Sequence, residues 1–211
     1  MNGIVAYMIL ILLFSLSACH PENTEIRLQA GDLLFRGAAS GNLAEAIDRV
    51  TQTEAETHFS HIGIVEQAGD SIFVLHADPK GGTCRILLQE FLHPENDSVN
   101  AAAYRLKAEW RFAIPGALAR ARAMLGKPYN FSYILSDTAH YCSEFIFRAF
   151  APDSVFLLNP MTFIDPQTDT FFPTWLDYYR KLGLEIPEGL PGCNPNGMAA
   201  SEKLERLGVV K

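Results

Sequence analysis

The fold of this 211-residue chain can be read from two stretches, HFSHIGIVEQAGDSIFVLHADPKGG at residues 58–82 and AHYCSEFIFRAF at residues 139–150. In the first stretch, short apolar runs alternate with polar residues and end in turn-forming Gly, Asp and Pro, a pattern typical of consecutive antiparallel strands. In the second stretch, a polar segment gives way at Cys142 to an apolar run with helical spacing. The two stretches predict strands packed against a helix that begins at a cysteine.

The rest of the chain adds further elements of the same kind. GDLLFRG, from Gly31, and AAAYRL predict two more strands, and NLAEAIDRV predicts a helix because its apolar residues recur at helical spacing. IPGALARARAMLG predicts another helix, with Pro near its start and Gly at its end. The tail from Ile186 is rich in Pro and Gly and is expected to cover the surface before a short final helix. Strands grouped together and flanked by helices predict an α+β fold, in a single domain over residues 30–211.

Composition excludes several classes of protein. The net charge is −7, with 48% hydrophobic and 19% charged residues, which is typical of a globular protein. Lys and Arg are scattered singly and form no basic stripe, so nucleic acid is not an expected partner. No CxxC or histidine-rich spacing indicates a zinc site, and we expect neither a metal nor a cofactor.

The N-terminal segment is predicted to lie outside the folded domain. The apolar run from Gly3 to Leu16 has the length of a signal-peptide core and is shorter than the roughly 20 residues of a spanning helix. LSAC follows it and resembles the lipobox of bacterial lipoproteins, which predicts a signal peptide over residues 1–18, a lipid on Cys19 and a polar tether over residues 19–29. The alternative is an ordinary secretory signal or an uncleaved anchor. A lipoprotein would be exported and anchored in the cell envelope, facing the periplasm, with the outer membrane as the expected destination.

Cys142 is the candidate nucleophile. A cysteine at a helix N-terminus faces unpaired backbone N–H groups and the positive end of the macrodipole, and both favour the thiolate. The sequence therefore predicts a lowered pKa for Cys142. The alternative is a structural cysteine that packs under the helix. Cys84 lies in an apolar strand and Cys193 in a loop; a disulfide between them is allowed outside the cytoplasm, but spacing does not establish it.

His61 and His76 are the candidate partners of this thiol. His61 opens a predicted strand, so its ring shares a face with Gly63 and Val65. His76 ends the next strand, and antiparallel pairing of the two strands brings the rings close together. A general base needs a group that fixes its tautomer, and a second imidazole can serve.

Taken together, the motifs resemble those of the NlpC-type papain-like cysteine hydrolases. GDLLF, SHIGIV, VLHA, GKPYN and YCSEFIFRAF occur here with the cysteine block last, whereas that block comes first in the usual arrangement. This order is similar to that of the permuted branch, the YiiX-like family, whose relatives include lecithin:retinol acyltransferase-type proteins. The resemblance spans roughly Gly31 to Phe150. It implies a circularly permuted papain-like fold, in which an antiparallel sheet or small barrel packs against helices.

The resemblance also implies a role for each candidate residue. Cys142 matches the nucleophile and His61 the general base. His76 falls at the third, orienting position; Glu66 is the alternative, because YiiX-like sequences often have Glu there. Tyr129 matches a tyrosine near the nucleophile, whose hydroxyl can donate to an oxyanion. An aromatic plug beneath the cysteine helix is the other interpretation of Tyr129.

The implied activity is acyl transfer by a cysteine hydrolase without a cofactor. Peptide or amide bonds in cell-wall fragments are the implied substrates. The lipid-acting relatives make an ester, thioester or N-acyl substrate the alternative, and the aromatic residues after Met161 are suited either to an apolar acyl groove or to core packing. A non-catalytic envelope binding module is a third interpretation, against which the complete set of Cys and His residues speaks. The expected partners are a small peptide or acyl substrate and, through the lipid on Cys19, a membrane.

Overall fold

The protein is described by a computed structural model over residues 26–37, 42–55, 57–94 and 99–211. The predicted signal peptide, Cys19 and most of the predicted tether lie outside these residues. Within them, no helix combines the length and the apolar character that crossing a membrane requires.

Strands and helices occur in both halves of the described chain. The strands are β1 (Leu33–Arg36), β2 (His61–Ala68), β3 (Ser71–Asp78), β4 (Gly82–Leu87), β5 (Ala101–Leu106), β6 (Asn159–Pro160), β7 (Ile164–Asp165), β8 (Thr170–Phe171), β9 (Pro191–Gly192) and β10 (Leu204–Val210). The α-helices are α1 (Asn42–Val50), α2 (Leu88–Leu92), α3 (Ile114–Ala123), α4 (Cys142–Phe150), α5 (Pro173–Leu182) and α6 (Pro195–Ala199). Short 3₁₀ helices span Ala108–Ala113 and Ala151–Asp153.

A six-stranded antiparallel sheet organises the fold, in the order β10-β5-β1-β2-β3-β4. All four residues of β1 are buried, as expected for a strand in the interior of a sheet that is covered on both faces. The predicted α+β fold, with an antiparallel sheet packed against helices, is confirmed.

Two apolar cores lie on the two faces of the sheet because side chains alternate along each strand. In β2, Ile62 belongs to the larger core, which also contains Cys142 and much of α4. Val65 belongs to the smaller core, together with Phe91 of α2. Strand β2 therefore directs His61, which alternates with Ile62, toward the side of α2.

The last element is a strand, so the predicted final helix is wrong. β10 pairs antiparallel with β5 at one edge of the sheet, with a register shift between Arg206 and Gly208. Without β10, the backbone N–H and C=O groups on the edge of β5 that faces away from β1 would be unpaired, and pairing with them outweighs a weak helical preference in the tail. Helix α5 was not predicted, although Pro173 at its start and Gly183 just after its end are the usual signals; it forms within the aromatic segment that follows α4.

Candidate active site

Cys142 occupies the first position of α4 and is 4% exposed. Tyr141 precedes it in an extended conformation, so the chain turns into the helix at the cysteine. The Cys142 Sγ atom lies 3.9 Å from the carbonyl oxygen of Ser60, the residue immediately before β2. The candidate nucleophile is thus placed beside the start of the strand that opens with His61.

His61 and His76 form a hydrogen-bonded pair across β2 and β3. The strand register puts Gly63 opposite His76, and the distance from His61 Nε2 to His76 Nδ1 is 2.8 Å. The ring of Phe91 packs on both imidazoles, with centroid separations of 5.6 Å and 5.4 Å. A Cβ atom on Gly63 would stand 3.1 Å from the Phe91 ring and 3.3 Å from the His76 Cβ, so glycine allows this close packing.

The contacts of the pair continue to a second thiol. His76 Nε2 lies 3.4 Å from Cys84 Sγ. If each imidazole carries its proton on Nε2, His61 donates to His76 and His76 donates to Cys84. Among the described residues, His61 Nδ1 has no hydrogen-bond partner, and in this tautomer it is free to accept a proton.

The structure brings the two histidines together but does not join them to Cys142. The sulfur belongs to the larger core, whereas both imidazoles pack against Phe91 of the smaller core. Within the described part of the chain, no hydrogen bond links Cys142 Sγ to either ring. Catalytic hydrogen bonds are often long or poorly aligned before substrate binds, so this arrangement does not exclude His61 as the base of Cys142.

Glu66 does not contact the candidate base, whereas Tyr129 is buried and protonated. The Glu66 carboxylate is held by Arg85 and Arg122, five residues along β2 from His61, so His76 and not Glu66 contacts the candidate base. Tyr129 is buried, and burial, with smaller contributions from Tyr133 and Cys142, raises its pKa well above the usual range. Its hydroxyl is therefore protonated at neutral pH and can act as a donor near the thiol.

Arg36 is a site residue that the sequence analysis missed. It pairs with His61 in the register of β1 and β2, is only 7% exposed, and donates from Nη1 to the carbonyl oxygen of Phe91 at 2.6 Å. Its guanidinium also lies 4.6 Å from the centroid of the Phe91 ring. A charged residue at the end of the apolar run GDLLFRG was the available signal, since arginine is rarely buried without a partner.

Burial reverses the expected ionisation of the thiol. It raises the pKa of Cys142 to about 11, although the N–H groups of Ser143 and Ile62 and the charge of Arg36 act in the opposite direction. The predicted lowered pKa is wrong, because removal of the sulfur from water outweighs the helix N-terminus. Burial, then Arg36, then His76 also lower the pKa of His61 well below its usual value. The Cys142 thiol and the His61 imidazole are therefore both uncharged at neutral pH.

This ionisation state can be tested by alkylation. In a Cys84→Ser/Cys193→Ser background, we expect the iodoacetamide labelling rate of Cys142 to rise about tenfold per pH unit between about pH 7 and pH 10, since the thiolate is the reactive form. The rate is measured by mass spectrometry of the labelled peptide. If the labelling rate stops rising below about pH 8, the raised pKa is contradicted and the thiolate is already formed in the resting protein.

Asp78 adds a carboxylate to the histidine pair. It lies two residues after His76 on the same face of β3, and one ligand atom from each of His61, His76 and Asp78 fits within 4.8 Å of the others. Two imidazoles and a carboxylate are a donor set that suits a divalent transition metal. The sequence analysis missed Asp78 because it follows the strand signal and looks like part of a turn.

Cys142 opens onto an apolar cavity of about 290 Å³. Both thiols on its wall, Cys142 and Cys193, are free, as is Cys84, so the Cys84–Cys193 disulfide is not formed. Ser60 and Tyr133 also line the cavity near the thiol. The apolar part of the wall comes mainly from the segment after α4: Val155, Phe156, Leu157, Met161, Phe163, Trp175 and Met198. Aromatic residues of this segment therefore serve both core packing and the cavity.

Solved structures include one with a similar fold. It is described as the metalloprotein YiiX from Escherichia coli O157:H7, and it superposes with a TM-score of 0.66 at 21% sequence identity, covering 85% of this chain and 96% of that chain. No curated protein matches this chain.

The sequence also matches a protein family over most of its length. The match covers residues 27–208, and the family is described as permuted papain-like amidase enzymes, YaeF/YiiX, C92 family. This range includes the sheet except for the last two residues of β10, the histidine pair, Cys142 and the residues around the cavity. The chain therefore belongs to the YaeF/YiiX family of permuted papain-like amidases.

Proposed function

We propose that the protein is a cysteine amidase in which Cys142 is the nucleophile and His61 the general base. One observation carries this proposal: the thiol at the start of α4 lies beside the start of β2, where His61 is held by His76 through a hydrogen bond of 2.8 Å. A thiol, a base and a group that orients the base form the usual arrangement for nucleophilic catalysis. His76 acts through His61 and is a positioning residue.

In the proposed reaction, His61 Nδ1 takes the thiol proton as Cys142 Sγ forms a bond to the amide carbonyl carbon. The carbonyl oxygen becomes an oxyanion, for which the backbone N–H of Cys142 and the hydroxyl of Tyr129 are the proposed donors. The C–N bond then breaks, His61 returns its proton to the leaving amine, and a thioester remains on Cys142. Water attacks the thioester as His61 removes a water proton, the acid leaves, and the thiol regains its proton.

The residues suited to hold a metal ion are His61, His76 and Asp78. A divalent ion bound there would supply a Lewis acid that withdraws electron density from the two imidazoles. In the steps above, the proton is taken, held and returned by His61 alone.

Two substrate classes remain in view, and the cavity favours one of them. Peptides from the cell wall carry charged groups, whereas the wall next to Cys142 is formed largely by aliphatic and aromatic side chains. A volume of about 290 Å³ is close to the lower end of ordinary small-molecule sites, roughly 300–1,000 Å³. We therefore propose that the acyl side of the scissile bond is apolar and lies in this cavity.

The test compares a cell-wall tetrapeptide with a series of N-acyl anilides of increasing chain length. We expect kcat/KM for the anilides to rise about three- to fourfold per added methylene until the cavity is filled, because each buried CH₂ contributes about 0.8 kcal/mol. Leu157→Arg should flatten this dependence, since Leu157 is 69% exposed and lies on the cavity wall. Leu184→Arg is the matched control, because Leu184 is exposed and is not part of that wall.

Each result separates the competing functions. Cleavage of the tetrapeptide with no dependence on acyl length would favour a cell-wall peptidase. If no substrate is cleaved and no acyl group is found on Cys142 by mass spectrometry, the non-catalytic binding module replaces the amidase. An acyl group found on Cys193 or Cys84 instead would identify that cysteine as the nucleophile.

A further inference from the structure

The histidine pair and Asp78 lie together at one end of the sheet. Gly63, opposite His76, ends the paired part of β2 and β3 on this side. His61 lies two residues before Gly63 and Asp78 two residues after His76, so both extend from the same end of the paired strands. Three ligand atoms, one from each of these side chains, fit within 4.8 Å of one another.

The surroundings hold these donors in orientations that suit metal binding. A metal-bound histidine usually donates its other ring N–H to a nearby acceptor. With His76 Nδ1 on the ion, Nε2 is the donor, and Cys84 Sγ lies 3.4 Å from it. The Asp78 Oδ1 atom accepts from the backbone N–H of Lys80 at 2.9 Å, which leaves Oδ2 available.

The groups around the cluster have opposing effects on the binding of a cation. An imidazole binds a metal ion in its unprotonated form, and the burial of both rings disfavours the charged form. The positive charge of Arg36 opposes a cation at this position, and the carboxylate of Asp78 offsets it.

We propose that His61, His76 and Asp78 form a binding site for a divalent transition metal ion, with Zn²⁺ as the best match. The ligand set of two nitrogens and one carboxylate oxygen fits the preferences of Zn²⁺ and leaves a fourth position for water. The His61 Nε2 and His76 Nδ1 atoms bind the ion in place of the hydrogen bond that joins them.

Metal binding at this site removes the base, a consequence that rests on the proposed amidase function. As a base, His61 carries its proton on Nε2 and accepts the thiol proton at Nδ1. When Nε2 binds the ion, the proton of the neutral imidazole moves through solvent to Nδ1, so no net proton is gained or lost. Nδ1 is then a donor and cannot deprotonate Cys142. The metal-bound and catalytically competent states exclude each other.

The binding experiment uses the full chain, purified in detergent, and follows Zn²⁺ by calorimetry and Co²⁺ by its visible absorption. We expect one equivalent to bind, with affinity reduced at least about tenfold by Asp78→Asn and lost in His76→Ala. His58→Ala is the control, because His58 is an exposed histidine outside the cluster. It pairs with Asp48 instead, at 2.8 Å. Binding should persist in Cys142→Ala. The site is wrong if folded protein binds no metal, or if binding survives both Asp78→Asn and His76→Ala.

The activity experiment is separate from the binding experiment. Zn²⁺ should inhibit amide hydrolysis over the same concentration range in which it binds, and EDTA should reverse the inhibition. Asp78→Asn should raise the Zn²⁺ concentration for half-maximal inhibition and the Kd for Zn²⁺ by the same factor. If Cys142→Ala binds the metal and the parent chain has no amidase activity, the metal site is supported and the amidase function is rejected. Activation by Zn²⁺, or Zn²⁺ binding without inhibition, would contradict the proposal that metal binding prevents His61 from acting as the base.

Discussion

Replacing Cys142 with alanine is expected to lower kcat/KM for amide hydrolysis by at least about a thousandfold. His61→Ala should have an effect of similar size, because the thiol is protonated in the resting protein and needs the base to become nucleophilic. The double variant should be no slower than either single variant, since a nucleophile and its base act as one unit. The measurement is steady-state hydrolysis of the best N-acyl anilide, with circular dichroism to establish that each variant is folded.

Matched controls separate this effect from general disturbance of the site. Cys193→Ala removes a second thiol from the wall of the same cavity, and His58→Ala removes an exposed histidine; both should retain activity within about threefold. Losses that multiply in the Cys142→Ala/His61→Ala double variant would show that the two residues do not act together. Retention of activity in Cys142→Ala would reject Cys142 as the nucleophile.

The central sheet and the helix that carries Cys142 could be predicted because their signals are local. Alternation over a few residues marks β2 and β3, and the change from polar to apolar residues marks the start of α4. The proximity of His61 and His76 followed from one further step, the pairing of two strands joined by a short turn. The order of the motifs then identified a permuted member of a known superfamily.

Arg36 and Asp78 could not be predicted as site residues, because their positions depend on register. Arg36 is brought beside His61 by the pairing of β1 with β2, and Asp78 by the pairing of β2 with β3. A shift of one residue in either pairing would turn the side chain to the other face of the sheet. The sequence contains each residue, but the shared face is a property of the assembled sheet.

The pKa of Cys142 depends on a competition that the sequence does not reveal. The position at a helix N-terminus is visible in the sequence and favours the thiolate. The depth of burial is not visible, since it results from the packing of α4 on the sheet and from the segment that follows α4. Burial has the larger effect here, so the general base becomes essential to the proposed mechanism.

Glu144 is a second residue of this helix whose importance appears only in the structure. Its carboxylate is fully buried in the first turn of α4 and accepts from the backbone N–H of Ser136 at 2.8 Å and from Asn130 Nδ2 at 3.1 Å. The Arg148 guanidinium, one turn later, donates to the same carboxylate at 2.8 Å. Burial raises the pKa of Glu144, but these partners and His140 lower it by more, so the carboxylate is charged.

Replacing Glu144 with alanine is therefore expected to lower the free energy of unfolding by about 3–5 kcal/mol, the usual cost of removing one partner from a buried ion pair. The change leaves donors of Ser136, Asn130 and Arg148 without their acceptor and loosens the segment that leads to Cys142. Urea unfolding measures the loss, and Glu144→Gln should recover part of it because its amide oxygen can accept some of these bonds.

The control for Glu144→Ala is Asp177→Ala, which removes an exposed carboxylate from its pair with Arg180 at 2.7 Å. That change should alter the free energy of unfolding by less than about 1 kcal/mol, since exposed ion pairs contribute little. Equal losses in the two variants would mean that Glu144 does not anchor the helix. A large loss for Glu144→Ala, with labelling of Cys142 accelerated under native conditions, would show that the same carboxylate keeps the thiol buried and its pKa high.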